Sequence, residues 1–133
     1  MSQLNWNKIL GWDEEQVEDF RLTAFLYIRE GKYDIAKTFC ETLAVLNPDN
    51  SYDLATLGAL YLQLNNPVNA LTYLDKAKSL NPKSQTIQIN RIKAMLQLGY
   101  REEGLRLLKS FIPTCKDKFI VSDAQALQMA YNM

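Results

Sequence analysis

The sequence contains no histidine, and this absence already excludes much chemistry. Without histidine a chain lacks the usual general base near neutral pH and the commonest metal ligand. Neither a GxxxxGK(S/T) phosphate loop nor a GxGxxG dinucleotide motif occurs. We therefore expect a protein that is not an enzyme and that binds no cofactor and no metal.

The chain also has no net charge, no long apolar run and only two cysteines. The 15 basic and 15 acidic residues cancel, which argues against nucleic acid or an anionic membrane as the partner. The longest apolar stretch, 24–28, is far too short to span a membrane, and residues 1–8 show no secretory signal pattern. Cys40 and Cys115 share no metal or redox spacing, so we interpret them as reduced thiols of a cytoplasmic protein.

A tripeptide repeat organises what is present. Leu46-Asn47-Pro48 recurs as Leu80-Asn81-Pro82 after 34 residues. A period of this length with small, aromatic and proline residues at fixed phases is typical of tetratricopeptide repeats. The same shift relates three further pairs: Tyr27 and Tyr61, Ala36 and Ala70, Thr38 and Thr72.

The predicted fold is all-α: a tetratricopeptide-repeat solenoid of three helix pairs with an N-terminal helical extension and a C-terminal capping helix. We interpret 1–133 as a single domain, with extension 1–16, repeats 17–50, 51–84 and 85–118, and capping helix 119–133. Apolar periodicity predicts helices over about 14–30, 33–46, 52–64, 67–80, 85–98, 101–112 and 119–131.

Several residues predict helix ends. Asp13 followed by Gln16 resembles a capping box, and Gly31 can take the left-handed conformation that ends a helix. Ser122 with Gln125 forms another capping pair in the last helix. These boundaries support the three predicted helix pairs.

Small residues predict where helices approach most closely. Ala24 and Gly58 occupy equivalent phases, where a large side chain would overpack and cost about 1–3 kcal/mol. Ile35 belongs to the stripe that the second helix is expected to bury. Continuing the register places Ala126 at the phase of Gly58, and Met129 at the phase of Tyr61.

The first helices of successive repeats are expected to line a concave groove that binds an apolar helix or extended segment of a partner. Ile28, Leu62 and Leu96 share one phase and would form an apolar ladder in it. The alternative is that some of these residues are ordinary core or are covered by the chain's own termini. The predicted groove residues are Arg21, Phe25, Ile28, Arg29, Tyr52, Ala55, Ala59, Leu62, Gln63, Ile89, Lys93, Leu96 and Gln97.

The N-terminal extension carries a second candidate contact, formed by Trp6, Ile9, Leu10 and Trp12. These residues are interpreted either as a homodimer or second-partner contact, or as a cap that folds back on the first repeat.

Tetratricopeptide domains that hold the C-terminal carboxylate of heat-shock chaperones use a clamp of Lys and Asn. The clamp phases here carry Arg21, Phe25, Thr56, Thr86 and Asn90, of which Arg21 alone is similar in charge. We do not expect that class of partner.

The stretch 31–37, Gly-Lys-Tyr-Asp-Ile-Ala-Lys, followed by Phe39 and Leu57-Gly58-Ala59, resembles the translocator chaperones of bacterial type III secretion. These share G-x-Y-x-x-A followed by L-G-A, and the likeness covers about residues 17–112. This chain is shorter than most of them and neutral, where many secretion chaperones are acidic. The needle-subunit chaperones and the chaperones of an early export component are alternative relatives.

The resemblance implies a bacterial cytoplasmic protein that holds an aggregation-prone secretion substrate until export. That substrate would be a translocator, a needle subunit or an early export component, and a co-chaperone is a further expected partner. The competing interpretation is an adaptor module within a larger protein assembly.

Overall fold

The computed structural model describes residues 11–132, which form seven α-helices and one short 3₁₀ turn. The helices are α1 (Glu14–Arg29), α2 (Tyr33–Leu46), α3 (Ser51–Gln63), α4 (Pro67–Leu80), α5 (Gln85–Gln97), α6 (Arg101–Phe111) and α7 (Lys118–Tyr131), and the 3₁₀ turn is Ile112–Thr114. The predicted all-α class and the helix order are confirmed, with boundaries within one or two residues of those expected.

The helices stack in chain order. Each helix packs on the next one, α3 also touches α5 directly, and α7 packs on both α5 and α6. This arrangement is a solenoid of helix pairs, in which each pair hides its apolar stripe against its neighbours.

The helix ends follow local chemistry. The Asp13 side chain accepts from the backbone N–H of Gln16 at 2.9 Å, and the Gln16 side chain accepts from the Asp13 N–H, so the capping box is present. Gly31 has a φ of +75°, as expected for the residue that ends α1. The predicted cap in the last helix is wrong, because Asp117 caps α7 and Ser122 lies inside it.

The core forms around leucines of the second helices. Leu43 and Leu74 belong to a cluster that joins the first two repeats, and Leu108 belongs to a cluster that joins the third repeat to α7. Gly58 allows α3 to approach α4, because a Cβ placed there would lie 2.6 Å from Leu74 Cγ. The small residue expected at this crossing is therefore required by packing.

Two packing predictions need correction. Ile35 is 45% exposed, because it lies about 100° around α2 from the buried Ala36. In α7 the buried small residue is Ala124, at 0% exposure, whereas Ala126 is exposed and Met129 is 74% exposed. A 3₁₀ turn lies between α6 and α7, and the buried small residue of α7 lies two positions before the expected one.

Within residues 11–132, none of the helices combines the length and the apolar character that a membrane span requires.

Candidate partner-binding cleft

A cleft of about 460 Å³ opens on the inner side of the solenoid, between α1, α3 and α5. None of the described residues that line it carries a formal charge. The lining consists of Ile28, Tyr33, Ser51, Tyr52, Ala55, Thr56, Ala59, Leu60, Gln63, Asn81, Ser84, Thr86, Ile87 and Asn90.

Helix α3 supplies the middle of the cleft because it lies between the other two walls. Ala55 and Ala59 are one turn apart on α3, and their small side chains leave open volume. Thr56 of α3 and Asn90 of α5 add hydrogen-bonding groups without charge. The surface can therefore bury an apolar side chain and also hydrogen-bond a neighbouring backbone.

The structure divides the predicted groove residues into separate environments. Arg29 and Gln97 are exposed outside the cleft, and Arg21 and Phe25 line a smaller cavity beside it. The predicted residues that line the cleft itself are Ile28, Tyr52, Ala55, Ala59 and Gln63.

The predicted apolar ladder is wrong for two of its three members. Leu62 is 8% exposed and lies in the core cluster that contains Ala94 of α5. Leu96 is 3% exposed and lies in the cluster that contains Ala124 of α7. Side chains at this phase therefore belong to the core wherever a neighbouring helix packs closely against them.

Helix α7 also packs near two of the other groove residues predicted on α5, Ile89 and Lys93, whereas Gln97 is exposed. Ile89 is 3% exposed within the cluster around α7. Lys93 forms an ion pair with Asp123 of α7, with its Nζ 2.5 Å from the carboxylate. The alternative of burial by the chain's own terminal helix therefore describes this part of the inner face.

The smaller cavity lies over a buried ion pair that joins α1 to α3. Arg21 donates from Nε and Nη2 to the two carboxylate oxygens of Asp53, each at 2.7 Å, and Nη1 pairs with Glu18. Asp53 is 2% exposed. The Asp53 hydrogen bond raises the pKa of the Arg21 guanidinium above its usual value.

Burial also affects the thiol beneath this cavity. It raises the pKa of Cys40 to about 12, with smaller contributions from the negative charges of Asp53 and Glu41. The Cys40 thiol is therefore a neutral core group at physiological pH.

Sequence reasoning missed part of the polar lining of the cleft. Thr56, Thr86 and Asn90 line it, although the inward phases did not include them. The available signal was the set of clamp phases, which contains these three residues. The clamp phases of α3 and α5 therefore coincide with part of the polar lining of the cleft.

The second candidate contact lies mostly beyond the described part of the chain. Trp6, Ile9 and Leu10 lie outside it, so their role stays a prediction. Trp12 is half-buried, and its ring centroid is 5.4 Å from that of Phe20 in α1. This placement is the one that the fold-back alternative expects for Trp12.

A metal site would need several ligating side chains in one place. Among residues 11–132, no three Cys, Asp or Glu side chains come together in a way that could hold a metal ion.

A family model for the tetratricopeptide repeat matches residues 54–84, which span α3 and α4. The translocator chaperone SycD of Yersinia enterocolitica has a similar structure, with a TM-score of 0.80 over 97% of this chain and 99% of that chain at 17% identity. The fold is that of a tetratricopeptide-repeat solenoid. Neither the matched family nor the fold indicates an enzyme family.

Two further structures share this fold and contain bound peptides. PcrH in complex with the chaperone binding region of PopD has a TM-score of 0.78 over 92% of this chain and 95% of PcrH, at 19% identity. PcrH is a protein of Pseudomonas aeruginosa. The first tetratricopeptide domain of RPAP3, bound to the HSP90 peptide SRMEEVD, has a TM-score of 0.76 over 90% of this chain and 93% of that chain, at 18% identity.

A curated relative by sequence is anaphase-promoting complex subunit 3 of Schizosaccharomyces pombe, which is 26% identical over 80 residues. That match takes in 60% of this chain but 12% of the length of the yeast subunit.

Proposed function

We propose that this chain is a non-catalytic chaperone of bacterial type III secretion, which acts in the cytoplasm. It holds an aggregation-prone secretion substrate by binding one of its segments in the inner cleft. The cleft carries this proposal, because its volume of about 460 Å³ is lined by uncharged residues and lies between the helices of three successive repeats. An apolar segment placed there would be removed from water and from self-association.

The similar structures favour a translocator as the substrate. PcrH is seen with the chaperone binding region of PopD, and SycD with a peptide of the translocator YopD. Both share the fold and cover at least 90% of this chain. A needle subunit and an early export component are the alternatives, and a co-chaperone or a second copy of the chain is a further expected partner.

Substitution of a small cleft residue by a charged one tests the proposal. Ala59→Arg fills the cleft from α3 and places an unpaired charge against any apolar segment, whereas Val68→Arg adds the same charge on α4 at a site that is 61% exposed. Co-expression with secreted proteins from neighbouring reading frames, followed by co-purification, is the measurement. The amount of partner that co-purifies should fall at least about tenfold with Ala59→Arg and should not change with Val68→Arg.

Circular dichroism and the urea midpoint provide the control for folding. If folded Ala59→Arg retains the partner as well as Val68→Arg does, the cleft is not the binding site. Leu62→Glu would not serve as a test, because Leu62 is core and a charge there would unfold the chain.

An adaptor within a larger assembly is the second candidate function. It is favoured by the sequence match to a subunit of the anaphase-promoting complex. Light scattering of the purified complex separates the two functions. A one-to-one complex with a small secreted protein supports the chaperone, and association with a large multi-subunit particle supports the adaptor.

A further inference from the structure

Asp53 is the charged side chain that the described part of the core contains. Its exposure is 2%, and both of its carboxylate oxygens accept hydrogen bonds at 2.7 Å from Arg21. A bidentate arginine–carboxylate pair is among the strongest polar contacts in proteins. With Nη1 held by Glu18, the guanidinium of Arg21 is occupied by two carboxylates of the same chain, the buried Asp53 and the exposed Glu18.

This pair lies beside the proposed binding surface. The small cavity that Arg21 and Asp53 line also contains Ile28, Tyr52 and Thr56, and these three residues line the main cleft as well. The Arg21 side chain lines this cavity and is 17% exposed. A cation without its partner at this position would add positive charge to a wall that otherwise has none.

We propose that Asp53 is a specificity-determining residue, which occupies Arg21 internally and thereby makes the cleft select uncharged apolar segments over acidic ones. The proposal rests on the proposed function of the cleft as the site for a partner segment, and it names the charge of the segment that fits.

The physical basis is discrimination against a competing ligand. An acidic segment entering the cleft loses hydration of its carboxylates, and the uncharged lining offers no cation in return. To bind Arg21, a carboxylate of the partner would have to displace the Asp53 carboxylate, which already accepts from both Nε and Nη2. Specificity of this kind arises from a penalty on the wrong ligand as much as from contacts with the right one.

The RPAP3 domain provides a suitable acidic probe. It shares the fold and binds the peptide SRMEEVD, which carries three acidic side chains. The matched neutral probe is SQMQQVN with an uncharged N-terminal label and an amidated C-terminus. Fluorescence anisotropy of the two labelled peptides against the full chain, Asp53→Asn and an Arg21→Leu/Asp53→Leu double variant measures how each protein discriminates by charge.

Asp53→Asn keeps the shape of the side chain and removes one negative charge beside Arg21, which retains the exposed Glu18 as its remaining ion-pair partner. We expect it to bind the acidic peptide at least about tenfold more tightly than the unmodified chain does, and this gain should shrink with added salt. Its affinity for the neutral peptide should not change. The double variant removes both charges together and should show no gain.

Three results would overturn the proposal. The first is no gain in affinity for the acidic peptide in folded Asp53→Asn, and the second is an equal gain in the double variant. The third is that the unmodified chain binds the acidic peptide as tightly as the neutral one. If Asp53→Asn does not fold, Thr86→Lys provides the test, since Thr86 is an exposed residue of the opposite wall. A gain for the acidic peptide in Thr86→Lys supports selection by the charge of the wall, and no gain overturns it.

The experiment does not depend on the natural partner. If Ala59→Arg retains the secreted protein, the proposed function fails while the peptide measurements still report charge selection by the cleft. If Asp53→Asn shows no gain while Ala59→Arg loses its partner, the cleft is the site and Asp53 does not set its specificity.

Discussion

The two ends of the inner face differ, although residues at the same phase of the repeat contribute to both. At the first repeat, Ile28 faces Ala55 and Ala59 across an open cleft. At the third repeat, Leu96 has the same phase but is buried against Gly104 of α6, in a cluster that also contains Ala124 of α7. The phase of a residue in the repeat therefore gives its direction, and the neighbouring helix decides whether that direction leads to a ligand surface or to core.

The same contrast holds for the ion pairs that join helices across this face. Arg21 and Asp53 pair through two hydrogen bonds in the core, where the Asp53 side chain is 1% exposed. Lys93 and Asp123 pair at the covered end, but their side chains are 28% and 46% exposed. Water solvates the second pair and screens it, so the two pairs should differ in their contribution to stability.

The largest expected effect comes from removing a core side chain at the covered end. Leu96→Ala should lower the free energy of unfolding by about 4 kcal/mol, because it leaves a cavity between α5, α6 and α7. The matched change Ile28→Ala, at the same phase but on the cleft, should cost about 1 kcal/mol. Urea denaturation of both variants measures the difference, and equal losses would mean that the two ends are equally packed.

A smaller effect is expected from the two aspartates. Asp53→Ala should destabilise the fold by about 3 kcal/mol, because a partly buried guanidinium loses both of its buried hydrogen bonds and retains only the exposed Glu18 as a partner. Asp123→Ala should cost about 1 kcal/mol or less, since its pair with Lys93 is solvated. Thermal or urea unfolding at low and high salt checks this. A loss for Asp123→Ala as large as that for Asp53→Ala would contradict the comparison.

The smallest perturbation is chemical labelling of the two thiols. Cys40 is 2% exposed and its pKa is raised to about 12, whereas Cys115 is only partly buried. Iodoacetamide at about pH 8 should therefore label one thiol per folded chain and two per unfolded chain. Mass spectrometry should locate the fast label on Cys115, and Cys115→Ser should remove it. Fast labelling of Cys40 would show that the first repeat, which contains it, unfolds locally.

The raised pKa of Cys40 also has a consequence for stability. Above the ordinary thiol pKa of 9.0 the unfolded state ionises first, so this contribution to stability decreases as the pH rises from 9.0 toward 12. Cys40→Ala should remove that dependence.

Much of the fold follows from local sequence. The capping box at Asp13, the left-handed Gly31 and Pro67 in the first turn of α4 act within a few residues, so their outcome can be predicted without tertiary contacts. The cap predicted at Ser122 failed because Asp117 caps the helix further upstream. The Asp117 carboxylate accepts from the backbone N–H groups of Phe119 and Ile120, so the helix begins upstream of Ser122.

The candidate site was less predictable. Thr86 and Asn90 line the cleft, and Leu62 does not, because the wall depends on how closely α3 and α5 approach each other. That distance is a property of the stacked helices and not of any one repeat.

The sequence by itself determined the 34-residue period, the helix pairs and the small residue at Gly58. These follow from backbone propensities and from the need of each repeat to bury one stripe. Only the tertiary structure decided that Leu96 is core, that Asp53 occupies Arg21, and that the cleft is uncharged. Burial and ion pairing depend on the distances between helices that are far apart in the chain, and no local pattern contains those distances.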